Sequence, residues 1–110
     1  MDKVLEISQR EGLQEQEEEK LKEASNLIRD NGLDCIKGTA FDVDTVQWAL
    51  EILGYKKGSL GEDDIWYRNV VSDAVGYIAE LEAINPNGVT VRIVVESFDN
   101  VLNVRSVTYE

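Results

Sequence analysis

The tetrapeptide Asn85-Pro86-Asn87-Gly88 divides this chain into two regimes of hydrophobic periodicity. Proline can neither continue a helix nor donate to a central strand, and Asn-Gly tolerates positive φ, so no regular element runs through this point. After it, Val89, Val91, Ile93 and Val95 alternate with Thr90, Arg92, Val94 and Glu96. A period of two sends one set to a buried face and the other outward, which describes a strand. Phe98-Asp99-Asn100 supplies a turn and residues 101–109 a second strand, so the C-terminal end reads as an antiparallel hairpin. Two strands alone are marginal in water, so this hairpin must pack on other elements. Its valine-rich edge also invites pairing with another chain.

Before the tetrapeptide the spacing is helical. Residues 3–31 read as one helix in two unequal halves, with Leu21, Ala24, Leu27 and Ile28 on a 3.6-residue stripe that Leu13 extends backward. Gly12 interrupts the first half, Gln14–Glu19 offers nothing apolar, and Val4, Leu5 and Ile7 form an isolated patch. Residues 1–20 are therefore expected to be an acidic helical segment that frays, and residues 21–110 a single domain. Asn31-Gly32-Leu33 ends the helix, with Gly32 suited to a left-handed cap. A second helix follows from Asp44 as N-cap with Gln47 completing a capping box. Val43 and Trp48 staple it, Val46, Ala49, Leu50 and Leu53 supply its buried face, and Gly54 ends it.

Ser59 and Glu62 repeat the capping-box spacing. Trp66, Val70, Ala74, Tyr77, Ile78 and Leu81 then keep helical spacing, which predicts a third helix over residues 60–84. The competing reading makes residues 65–71 a strand, because Ile, Trp, Tyr and Val favour pleated surfaces, with Ser72 capping a shorter helix. The expected fold is α+β: an N-terminal helix, two further helices and a C-terminal antiparallel β-hairpin in one small domain. Trp48, Trp66, Tyr77, Ile78, Leu81, Val91 and Ile93 are its expected core.

Charge narrows the function. With 11 basic and 22 acidic residues among 110, the net charge is −11, and the acidity runs along the whole chain. Such a field repels phosphate backbones and anionic lipid headgroups and attracts basic protein surfaces. Direct binding to nucleic acid or to a membrane is therefore not expected. No apolar run reaches the ~20 residues that span a bilayer. Histidine is absent and Cys35 is the one cysteine, with no cation cluster beside it to lower its pKa. A buried structural thiol in a reducing cytoplasm is the expectation.

No motif carries chemistry. Asp42-Val43-Asp44 resembles the opening of a calcium loop but lacks that motif's glycine and distal glutamate. Glu62, Asp63 and Asp64 suit the first turn of the expected third helix, where they complement its dipole. Glu80 and Glu82, two apart on that helix, point to different sides and so make no paired acid–base site. Ser59 has no histidine or lysine base, and Gly54, Gly58 and Gly61 do not form a phosphate loop. The chain is read as non-enzymatic, with no catalytic residue, no metal site and no cofactor.

What remains is a row of carboxylates. Glu11, Glu15, Glu19 and Glu23 stand at successive i,i+4 positions, about 6 Å apart along a helix axis. Each like-charged pair costs a helix roughly 0.2–0.5 kcal/mol. The row is either a solvated face, diluted by Arg10, Lys20 and Lys22, or a surface that meets something positive. The favoured reading is a small acidic protein-binding module that docks on a basic groove of a larger protein through Glu15, Glu18, Glu19, Glu62, Asp63 and Asp64. Small size, broad negative charge and absent chemistry resemble, by analogy of class alone, phage-encoded anti-CRISPR and anti-defence inhibitors and toxin-neutralising immunity proteins. The alternative is a homo-oligomeric structural or accessory subunit, such as a homodimer, assembled through the N-terminal helix or the hairpin edge.

Overall fold

A computed structural model describes residues 3–110. Three helices pack on one face of an antiparallel sheet: α1 (Lys3–Glu11), α2 (Glu15–Asn31) and α3 (Val43–Ile52), followed by β1 (Lys56–Lys57), β2 (Tyr67–Ser72), β3 (Gly76–Ile84), β4 (Thr90–Phe98) and β5 (Val101–Tyr109). The fold is α+β, with its strands in the C-terminal half. Strands β3, β4 and β5 form a meander, and β1 and β2 share the outer side of β3, β1 at its end and β2 along its start.

The N-terminal stretch bends where glycine allows it. Gly12 takes φ +66° between α1 and α2, and Gln14 caps α2 in a reciprocal box with Glu17. Glu11 and Glu15 thus lie on different helices, so the continuous i,i+4 row is confined to Glu15, Glu19 and Glu23. The bend folds α1 back against α2 and α3. Val4 and Ile7 then reach the core with Leu21, Ala24 and Ile28 of α2. Gly32 ends α2 at φ +89°, its N–H donating to the Ile28 carbonyl. A 3₁₀ turn (Leu33–Ile36) then buries Leu33 and Ile36.

The cap of α3 lies two residues earlier than the sequence suggests. Asp42, not Asp44, accepts the Thr45 N–H at 2.7 Å. Asp44 points instead to Tyr67, and Gln47, freed from any capping box, bridges to the segment before β2: its amide donates to the Asp64 carbonyl and its carbonyl accepts from Trp66 N–H.

The expected third helix over residues 60–84 does not exist; β2 and β3 occupy its place. Both periods are present in that stretch. Tyr77, Ala79, Leu81 and Ala83 alternate as cleanly as Trp66, Val70, Ala74 and Tyr77 recur at helical spacing. Tertiary pairing decides between them. Strand β3 supplies β4 with a full-length partner in nine residue pairs, Gly76↔Phe98 through Ile84↔Thr90. Gly76 allows that approach, since a Cβ there would sit 1.7 Å from the Ser97 carbonyl oxygen. The Asp73 carboxylate accepts from Val75 and Gly76 N–H and makes the β2–β3 turn.

On a strand, Glu80 and Glu82 share one face, contrary to the helical expectation. That face is turned from the helices, and each glutamate meets an arginine: Arg68 at 3.1 Å for Glu80 and Arg92 at 3.0 Å for Glu82. Alternation also sends Ile78 to this outer face, while Ala79, Leu81, Ala83, Val91, Ile93, Val95 and Val104 form the sheet's contribution to the core. Trp66 is buried as expected, and Trp48 and Tyr77 pack at the core's margin.

The hairpin matches the sequence reading. Asp99 and Asn100 both take positive φ, as a two-residue primed turn requires. Asn85 closes the β3–β4 turn, its side-chain oxygen accepting from Asn87 and Val89 N–H. A bulge places Arg105 between the Ser106↔Val94 and Val104↔Val95 pairs. There Val104 exchanges hydrogen bonds with Gly38 and Thr39, which cover the middle of the β5 edge.

Candidate protein-docking face

Three shallow depressions join along one side of the molecule because they share residues. The largest, about 750 Å³, lies between α2 and the start of α3 and is lined by Glu15, Glu17, Glu19, Lys20, Glu23 and Asp42. Asp42 also borders a second, of about 310 Å³, with Asp44, Tyr67, Asn69 and Tyr77. Tyr67 and Asn69 in turn border a third, of about 380 Å³, with Glu62, Ile65 and Arg68. The result is an acidic trough with a phenolic middle section.

Helix periodicity builds the first part. Glu15, Glu19 and Glu23 recur every four residues while Leu21, Ala24 and Ile28 occupy the opposite, buried face. The Glu15 and Glu19 side chains form no ion pair or hydrogen bond among the described residues, and both are exposed, so their charge faces solvent. Lys20 partly offsets Glu23 at 3.8 Å and sits 5.8 Å from the Phe41 ring centroid.

The middle section is a small network. Tyr67 donates its hydroxyl to Asp44 at 2.7 Å. Burial pushes the Asp44 carboxyl above its ordinary value, against the Tyr67 hydrogen bond, and the neighbouring charges of Asp42 and Glu11 add to the rise. Burial and then the Asp44 contact push the Tyr67 phenol well up. Tyr77, which meets the Val43 backbone, is raised by burial as well, with a smaller push from Asp42 and Asp44. Both phenols stay protonated; Tyr67 donates to Asp44, and Tyr77 stands beside Asp42 and Asp44 with its oxygen against the Val43 backbone.

The residues singled out from sequence separate here. Glu15 and Glu19 line the trough at one end, and Glu62 lines it at the other. Glu18 faces away: it accepts from Ser8 at 3.0 Å and pairs with Lys22, which ties α1 to α2. Asp63 and Asp64 lie on an exposed turn closed by Ile65 N–H to the Glu62 carbonyl, with Asp63 at φ +53°. No helix starts there, so Glu62, Asp63 and Asp64 complement no helix dipole. Sequence reasoning missed Asp42, Asp44, Tyr67 and Tyr77 as trough residues. Two aspartates flanking Val43 were a signal, but only tertiary packing brings the tyrosines from the strands to meet them.

Ser59 and Glu82 form a separate cluster on the far side of the sheet. Glu82 is 6% exposed and accepts from Ser59 Oγ (2.7 Å), Ser59 N–H (2.8 Å) and Arg92 (3.0 Å). The two Ser59 hydrogen bonds and then the guanidinium hold its carboxyl below the usual value. The arrangement pins the segment before β2 onto the sheet. Among the described residues, no group of three or more Cys, Asp or Glu gathers as a metal site. No described helix is long and apolar enough to cross a membrane. Comparison with protein-family models, curated proteins and solved structures gives no match.

Proposed function

We propose that this chain is a small acidic, non-enzymatic binding module that seats the trough on a basic surface of a larger protein. The observation that carries this reading is the continuity of the trough: carboxylates from α2, the start of α3 and the loop before β2 share one surface with two tyrosines. Acidic side chains of this density steer a basic partner into place, and aromatic rings beside them add contact area at low entropic cost. The contacts are Glu15, Glu19, Glu23, Asp42, Asp44 and Glu62. An inhibitor or antagonist of the anti-CRISPR, anti-defence or immunity type, working in a cytoplasm against a nucleic-acid-binding groove, suits these properties.

Self-assembly is the weaker reading. Each copy carries −11, so like-charge repulsion opposes a homo-oligomer at low salt. Gly38 and Thr39 also occupy part of the hairpin edge that such an assembly would use.

The test is retention of a tagged chain's partner from nuclease-treated host lysate at low and high salt. Wild type is compared with the Glu15→Lys/Glu19→Lys/Glu62→Lys triple variant and with Glu6→Lys/Asp30→Lys as a control outside the trough. One basic protein retained by wild type and the control, lost by the triple variant and weakened by salt, is the expected outcome. Equal loss in both variants means a nonspecific field and ends the reading.

A further inference from the structure

Whereas the β5 edge is held in its middle by Gly38 and Thr39, the side of β2 away from β3 is a strand edge that no other described strand or loop covers. Its phase follows from the hydrogen bonds to β3. Glu82 N–H donates to the Trp66 carbonyl, and Asp73 N–H donates to the Gly76 carbonyl. Antiparallel pairing alternates, so Arg68, opposite Glu80, and Val71, opposite Ile78, also turn their backbone groups toward β3. Tyr67 and Asn69 therefore turn their N–H and C=O groups outward, two donors and two acceptors spaced about 7 Å apart. The shift between Asn69 and Val71 leaves Val70 as the extra residue of a bulge.

Chemistry differs on the two faces that flank this edge. On the helix side lies the depression holding Asp42, Asp44 and Tyr77. On the other side Val71 is 40% exposed, and Val70 on the bulge is 54% exposed. Edge strands usually carry lysine or proline as protection, and β2 has neither; its one arginine, Arg68, is paired with Glu80. The acidic loop Glu62-Asp63-Asp64 stands at its start and Asp73 at its end.

We propose that an extended, basic segment of the partner adds to the Tyr67–Asn69 edge as a further strand. Residues opposite Tyr67 and Asn69 direct their side chains to the helix side, where lysine or arginine meets Asp42 and Asp44. The intervening residue stands on the outer side beside Arg68, and the residue just past the one opposite Asn69 also points outward, where an apolar side chain covers Val71. Main-chain hydrogen bonds hold the segment, and the alternation of basic and apolar positions selects it. A second copy of this chain is a poor occupant, because its own β2 would bring another set of carboxylates to the same place. This inference rests on the acidic-trough reading and names the element of the partner that the trough receives.

The test uses the full chain and an end-capped octapeptide of alternating lysine and valine at low ionic strength. Its controls are the same peptide with alternate amides N-methylated and a glutamate–valine counterpart. The Tyr67 and Asn69 amides, followed by NMR hydrogen exchange, are expected to slow by about tenfold or more when the peptide is bound. N-methylation of the lysine amides removes the donors to both the Tyr67 and Asn69 carbonyls and is expected to weaken binding by at least about tenfold. Asn69→Pro removes an outward N–H without touching the β3 pairing and is expected to weaken binding similarly. If that variant does not fold, the N-methylated peptide gives the same comparison on the unaltered chain. Equal binding of both lysine peptides with no amide protection overturns strand addition and leaves the acidic trough standing as a charge-driven site. No binding of any peptide at low ionic strength overturns both readings. Equal binding of the glutamate–valine peptide overturns the basic character assigned to the segment.

Discussion

Glu82 offers the sharpest test of how this fold holds its loops, because a single carboxylate joins three elements. Its two oxygens accept from Ser59 twice and from Arg92 once while the residue is 6% exposed. A net charge-assisted hydrogen bond contributes about 1.5–3 kcal/mol, so three would sum to roughly 4–9 kcal/mol. That sum is an upper bound. Ser59 is itself exposed, so water replaces the carboxylate there, and Arg92 retains Glu110 at 3.3 Å. Discounting for both leaves about 2–3 kcal/mol for Glu82→Ala and about 1 kcal/mol for Glu82→Gln, which keeps an acceptor. With a urea slope of about 1–3 kcal/mol/M, Glu82→Ala should lower the unfolding midpoint by roughly 1 M near pH 7. The pH dependence has a definite sign. The carboxyl is depressed from its ordinary 4.5, so its stabilisation is complete above that value and is lost as pH falls through the lower folded-state pKa. The gap between wild type and Glu82→Gln should therefore narrow in acid. Urea titrations across this pH range measure it. A Glu82→Ala cost under about 0.5 kcal/mol, or a gap between wild type and Glu82→Gln that does not change with pH, refutes the reasoning.

Asp44 has the opposite sign: its raised carboxyl makes ionisation a cost in the folded state, so Asp44→Asn, which still accepts from Tyr67, should raise the melting temperature at neutral pH and lose that advantage in acid. Gly76→Ala forces a Cβ to within 1.7 Å of the Ser97 carbonyl oxygen and should cost about 3 kcal/mol or abolish folding, read as loss of the cooperative thermal transition. Ile7→Ala empties a 5%-exposed core position and should cost about 2–4 kcal/mol in chemical denaturation; a negligible cost would mean α1 is not docked in solution. Asp42→Ala removes the cap of α3 and should cost about 1 kcal/mol by the same assay.

The sequence alone determined the elements whose signals are local. The hairpin from Thr90 to Tyr109 follows from strict alternation and from Asp99-Asn100, which suits positive φ. The end of α2 follows from Gly32; Gly12 marks an interruption in what reads as one helix, and only packing of α1 back onto α2 and α3 makes it a break between two. Net charge and the spacing of Glu15, Glu19 and Glu23 pointed to an acidic face. Residues 60–84 were not decided locally, because Ala-Glu-Leu-Glu-Ala serves a helix or a strand equally well by pattern. Only β4, which needs a partner along its whole length, and Arg68 and Arg92, which neutralise Glu80 and Glu82 in the sheet, selected the strand. That outcome moved Glu62, Asp63 and Asp64 from a helix start to an exposed turn. It also carried Tyr67 and Tyr77 beside Asp42 and Asp44, and it left the outward N–H and C=O groups of Tyr67 and Asn69 without a strand. The trough therefore belongs to the tertiary structure: its carboxylates can be read one by one along the chain, but their meeting with the phenols depends on pairings between strands distant in sequence.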